Sequence, residues 1–298
     1  MGVTANPVLI SFHNILFTTD FSPSSESALP LAGELARRFA AKMVLAHVVA
    51  AEPRLPMPIE PLPPQCDVDR QAAKVGMARL RSLEAVSGVD YDCVLMRGDL
   101  WPNLEALIRE RKIDLVVAAT HAREGLSKLL MGSVAEQIFR NARCPVLTVG
   151  PRASHFLQSG HFQRVLFATD FSPAADAAFP YALALARQDD AELLMVHIVP
   201  PDAALPPDMD IALYEDRLLS NAETRLRDII GESTAVRSDF AVQYGFPTEQ
   251  IAAVAEQSGA GVIVMGVRRH GAASIHLPWR TAHRVVCHAP CPVLTVRI

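Results

Sequence analysis

Short runs of consecutive apolar residues alternate along this chain with longer stretches in which apolar positions recur every three or four residues. Residues 15–19 (ILFTT) form the first run, the pattern of a strand buried on both faces. The run ends at Asp20, and Ser22-Pro23 then supplies a helix N-cap with proline at the first helical position. Over 24–41 the residues Ala28, Leu31, Leu35 and Phe39 keep helical spacing and predict one helix. A second strand follows over 43–49. The proline-rich stretch 52–64 is incompatible with regular structure and predicts an exposed flap. Beyond it the pattern predicts a helix over 68–86, a strand over 91–96, a helix over 102–111 and a strand over 113–119. After a loop come a helix over 133–141 and a strand over 145–149. Strands joined by helical crossovers make a doubly wound parallel sheet.

The same succession then repeats. ILFTTDFSP at 15–23 returns as VLFATDFSP at 165–173, and CPVLTV at 144–149 returns unchanged at 291–296. LAHVV (45–49) answers MVHIV (195–199), and Gly98 answers Gly245. Two tandem five-stranded domains are therefore expected, over 1–152 and 160–298. With the flavodoxin-like strand order 3-2-1-4-5, the order reverses between the first and fourth strands. Ligands of open α/β sheets bind at that reversal, beyond the carboxyl ends of the strands. The segments there are 18–21 and 119–133.

Composition narrows the function without choosing it. Half of the 298 residues are hydrophobic, enough for two cores. Only 20% are charged, and the net charge of -4 favours neither nucleic acid nor an anionic membrane as partner. The first thirty residues lack a secretory signal pattern, and no segment approaches the roughly 20 apolar residues that span a bilayer. A cytoplasmic protein is expected. Five cysteines, an odd number in a long chain, read as reduced thiols rather than a disulfide framework. His283, Cys287, His288 and Cys291, with His270 and His276 near them, invite a metal reading. They lack the CxxC or HExxH spacing of strong metal motifs, and Cys291 recurs at Cys144 without histidines, so no metal site is expected. The chain has no P-loop, no G-x-S-x-G elbow and no G-x-G-x-x-G after a strand, so no catalytic residue is assigned.

TTDFSP after the first strand, HVV in the second, and THAREGLSKLLMGSVAEQIFRNARCPVLTV across the last third of the first copy resemble the universal stress protein family. The match covers nearly the whole of each copy. In ATP-binding members the loop after the fourth strand reads G-x-x-G, nine residues, then G-S or G-T. Glycines let backbone approach phosphates, and the final pair opens a helix whose free N–H groups attract anions. In the first copy Ala119 and Ala122 stand at the two early glycines, while Gly132-Ser133 is intact. In the second copy Gly266 keeps the first glycine, but Arg269 replaces the second and Trp279-Arg280 replaces Gly-Ser, with Pro278 just before them.

The resemblance implies an adenine nucleotide, ATP with any Mg²⁺ it carries, as a regulatory ligand of the first copy. It places Thr18, Thr19 and Asp20 along the nucleoside, Val48 as a wall for adenine, and Ala119, Thr120, His121, Ala122, Gly132, Ser133 and Val134 around the phosphates. Thr169, Asp170 and Gly266 are the corresponding weaker set in the second copy. Asp20 also has an architectural reading, as a strand-end carboxylate accepting loop N–H groups. His47 and His197 are expected to be satisfied strand-end residues. The rival reading is a nucleotide-free interaction module. Its repeated CPVLTV strands would pair the two domains as an internal pseudo-dimer, with a protein partner or a second chain as binding partner. Slow ATP hydrolysis is a third alternative.

Overall fold

A computed structural model describes residues 10–50, 65–120, 131–153, 161–201, 211–231, 236–268 and 278–298, with backbone only at 65–68, 211–213 and 278–280. These fall in the main into two compact units, one from Phe12 to Leu147 and one from Thr148 to Ile298. The first carries β1 (Asn14–Thr18), α1 (Pro23–Ser27), α2 (Leu29–Arg38), β2 (Lys42–Val49), α3 (Gln65–Arg81), β3 (Tyr91–Arg97), α4 (Leu100–Glu110), β4 (Leu115–Ala119) and α5 (Ser133–Asn141), and leads into β5 (Val146–Val149). Its strand order is β3-β2-β1-β4-β5, the expected 3-2-1-4-5. β1 pairs in parallel with β2 and β4, and β2 with β3.

The second unit carries β6 (Arg164–Ala168), α6 (Pro173–Gln188), β7 (Glu192–Val199), α7 (Ile211–Gly231), β8 (Ser238–Tyr244), α8 (Pro247–Ser258), β9 (Val262–Val267), α9 (Pro278–His288) and β10 (Val293–Arg297). The order within it, β8-β7-β6-β9-β10, is the same. All four pairings are parallel.

Strand alternation sorts each sheet into two buried faces. On one face of the first sheet Leu16, Val44, Ala46, Val116 and Ala118 pack with Leu104 and Leu107 of α4 and Ile138 of α5. The other face carries Ile15, Phe17, Met43 and Leu45, all with no exposed surface. Full burial of such side chains contributes about 1.5–3 kcal/mol each. Gly98 and Gly245 have φ of 117° and 144°, which explains why the two copies share a glycine after the third strand.

Two expectations need correction. The single helix over 24–41 is broken at Ala28 into α1 and α2. Pro30 has no N–H to return to the carbonyl one turn earlier. The serines of α1 also bond locally, Ser25 Oγ donating to Ser22 O and Ser27 Oγ to Ser24 O, which competes with the helix ladder. In the second copy alanines replace these serines, and α6 runs unbroken through the matching Pro180. The helix expected to reach residue 86 stops at Arg81, where Ser82 Oγ donates to Arg79 O, and a 3-10 turn covers Glu84–Val86. No described helix is long and apolar enough to cross a membrane.

Candidate functional site

Chain direction brings the ends of β1, β2 and β4 to one edge of the first sheet, and the turn after β1 is built from its own side chains. Ser22 caps α1, its hydroxyl accepting the Ser25 N–H at 3.1 Å. Asp20 Oδ1 accepts the Ser22 N–H at 3.0 Å, and Thr19 Oγ1 accepts the Phe21 N–H at 2.9 Å. Ser25 donates its hydroxyl proton to Ser22 O, so the 3.0 Å contact between Thr19 and Ser25 runs with Thr19 as donor. These bonds hold Phe21 at φ 62°, a left-handed backbone that costs a non-glycine residue about 1–2 kcal/mol. The Phe21 ring rests on His47, with centroids 4.4 Å apart, and His47 Nδ1–H donates to Thr19 O at 2.7 Å. Arg79 of α3 is paired with Glu26 and reaches Phe21 O.

The second unit repeats this turn. Asp170 Oδ1 accepts the Ser172 N–H at 3.0 Å, Phe171 has φ 58°, and His197 Nδ1–H donates to Thr169 O at 2.8 Å. Asp20 therefore has the architectural duty foreseen for it, and both histidines are satisfied. Ser25, which completes the Thr19 network, and Phe21, which carries the strain, were not singled out from the sequence. Phe21 has a local sign in the repeated DFSP, while Ser25 has none, since the second copy carries Ala175 there.

The difference between the units lies one position earlier and one strand across. Thr18 and Thr120 are 5% and 3% exposed, and neither hydroxyl oxygen has a hydrogen-bond partner. Thr18 is level with Ala46 on β2, and Phe17 is level with Val117 on β4. By alternation Thr18, Ala46, Val48, Ala118 and Thr120 share the face covered by α4 and α5. The second unit has Ala168 and Val267 in place of Thr18 and Thr120, both buried. An unpaired buried hydroxyl costs about 1–3 kcal/mol. The first sheet carries these two at the ends of β1 and β4, with Thr148 on β5 a third, and the second unit has an apolar side chain in place of Thr18 and of Thr120.

Ala119 points to the opposite face and is buried. Gly132 is the N-cap of α5, with φ -61° and ψ 154°, an extended backbone that any residue adopts. Gly132 is half-buried, Ser133 exposed and Val134 half-buried. His121 and Ala122 lie outside the described residues, as do the flap at 52–64, Arg269, His270 and His276.

Gly266 in the second unit is accounted for by packing. A Cβ there would lie 2.0 Å from Ala174 O and 2.4 Å from Ala175 N, so the first turn of α6 rests directly on β9. Packing by itself therefore requires a glycine at this place.

Burial pushes the thiols of Cys144 and Cys291 up to about 11 and about 12, so both stay protonated at neutral pH. His288 Nδ1–H donates to Arg284 O at 2.7 Å. Among the described residues no group of three or more His, Cys, Asp and Glu is placed to hold a metal ion.

His197 titrates below the ordinary histidine value, mainly through burial. The Thr169 carbonyl opposes that shift, and Arg225, whose guanidinium lies 3.9 Å over the Phe171 ring, reinforces it. As pH falls below about 6.5, the unfolded chain takes up a proton at this position that the folded chain resists, so folding stability drops through that window. Thermal melts at pH 7.5 and 5.5 should show a fall in midpoint that is smaller in His197→Asn.

The model of the universal stress protein family matches the chain twice, over residues 11–150 and 161–297. Universal stress protein G of Escherichia coli O157:H7 is 34% identical over 128 residues, 41% of this chain and 89% of that protein. A universal stress protein of Thermus aquaticus is 34% identical over 139 residues, 46% of this chain and 99% of that protein. Among solved structures, a universal stress protein from Archaeoglobus fulgidus has a TM-score of 0.71 at 21% identity, covering 95% of this chain and 98% of that one, a likeness of fold.

Proposed function

The chain belongs to the universal stress protein family, with two family domains in tandem, and from that premise we propose that it is a cytoplasmic stress-response protein that binds an adenine nucleotide in its first domain as a regulatory ligand. The domains run over 1–152 and 160–298, and only the first is a binding domain. The carrying observation is the pair of buried, unpartnered hydroxyls at Thr18 and Thr120, set against Ala168 and Val267 in the second copy. A fold retains such a cost where something else relieves it.

In this reading adenine lies against Val48, with Asp20 and the backbone of Thr19 beside the nucleoside. The phosphates meet the turn 119–122 and the free N–H groups of Gly132, Ser133 and Val134 at the start of α5. Mg²⁺ would arrive with the phosphates. Thr169 and Asp170 keep the turn of the second domain without a ligand. No group is assigned a catalytic step.

Calorimetry of the intact chain with ATP tests this. Binding is expected at micromolar to millimolar concentration, reduced about tenfold by Asp20→Ala. Asp170→Ala removes the same N–H acceptor from the other copy and should leave affinity unchanged. No heat at millimolar ATP would sink the proposal.

The second reading is a nucleotide-free scaffold whose domains pair with each other and present a surface to a protein partner or a second chain. One observation favours it. The polar groups of the first turn are engaged internally, with Thr19 bonded to Phe21 and Ser25, Asp20 to Ser22, and His47 to Thr19, as the second copy repeats without Ser25. The same titration decides between the two.

A further inference from the structure

We infer that the first-domain site recognises the neutral nucleoside end of its ligand, so that adenosine, its monophosphate and its triphosphate bind with similar affinity. This rests on the nucleotide reading above and adds which part of the ligand supplies the affinity. Parallel strands lie about 4.8 Å apart and rise about 3.3 Å per residue. Thr18 stands level with Ala118 on β4, and Thr120 is two residues further on. Regular strand geometry therefore puts their Cα positions roughly 8 Å apart. A nucleoside spans such a distance between its base edge and its sugar hydroxyls. It offers both donors and acceptors, as a threonine hydroxyl requires.

The surroundings argue against a buried anion. Among the described residues the shared face at this edge carries Ala46, Val48, Ala118 and the two threonines, all neutral. Burying phosphate charge there without a cation is costly. The described group suited to phosphate is the α5 N-terminus, where Ser133 is exposed. A helix terminus open to water contributes only a factor of about 2–5 to anion affinity. A ligand group that relieves a buried, unpaired hydroxyl contributes about tenfold to a hundredfold. The neutral contacts outweigh the charged one.

The test combines calorimetry with melting of the intact chain, for wild type, Thr18→Val and Thr120→Val. The wild type should bind adenosine, AMP and ATP within about tenfold of one another. Each variant should weaken all three in parallel, by about tenfold to a hundredfold. Without ligand each variant should melt at the same temperature or roughly 2–4 °C higher, since it removes an unpaired hydroxyl. Threonines that serve only packing would give the opposite sign, and the second domain already folds with Val267. Adenosine binding more than a hundredfold weaker than ATP overturns the inference and leaves the nucleotide reading standing. So does a variant that binds like wild type, or one that melts lower. If wild type binds none of the three, both readings fall together.

Discussion

Gly266→Ala is expected to destabilise the second domain by about 3 kcal/mol or more, lowering its midpoint by roughly 6–12 °C. The added methyl would lie 2.0 Å from Ala174 O, 2.1 Å from Ala174 C and 2.4 Å from Ala175 N. All three are backbone atoms of the first turn of α6, so no side chain can swing away. Either α6 lifts off β9 or β9 bends, and both disturb a core that includes Phe167, Val264 and Ala178. The first domain supplies the comparison. It carries Ala119 at the matching place, where the helix is split into α1 and α2. Ala119→Gly should therefore cost only about 0.5–1 kcal/mol, the ordinary entropic cost of a glycine. Calorimetric or dichroic melts of the two variants check the pair. A Gly266→Ala chain that melts like wild type would mean that α6 approaches β9 less closely than the structure has it.

The largest effect on binding is expected at Gly132. Gly132→Trp, the residue that the second copy carries at 279, should abolish ATP binding, with affinity falling at least a hundredfold in calorimetry. Gly132 begins α5 with an extended backbone that any residue can adopt, so the substitution is compatible with the helix. The indole takes the space in front of the first N–H groups of α5, so the loss comes from a clash with the phosphates rather than from the modest attraction of the helix terminus, and adenosine should still bind. The far-UV spectrum and melting midpoint should stay close to wild type. Binding that survives would remove the α5 terminus from the site. Thr18 and Thr120 would then be left as the groups on which a nucleoside ligand depends.

Much of the fold was legible in the chain. α5 spans Ser133–Asn141 as expected, and Ser22 caps α1 with Pro23 at its first position. These features depend on residues close in sequence, and local hydrogen bonds decide them. Gly266 shows what such reading does not contain. In the sequence it resembles a retained phosphate glycine, while in the fold it faces the backbone of α6. Gly132 and Gly266 look alike as letters of one motif, and only their neighbours in space separate them. The break at Ala28 depends on three serines beside Pro30. The copy with alanines keeps its helix whole, so a proline alone does not predict the break.

The sequence by itself determined the duplication, through its repeated motifs, and the alternation of strand and helix, through the periodicity of its apolar residues. The strand order entered as a condition, and the structure gives it. With that order the sequence also pointed to the edge where β1 and β4 end, because connections of one hand leave the crevice there. The tertiary structure alone decided which polar groups at that edge are already satisfied. Thr19 and Thr18 are adjacent threonines in one strand-end motif, yet one hydroxyl is bonded to Phe21 and Ser25 while the other has no partner. Alternation turns them to opposite faces, and what each meets depends on the helix packed there. Hydrogen-bond satisfaction is a property of that closed packing, so no reading of the chain in one dimension contains it.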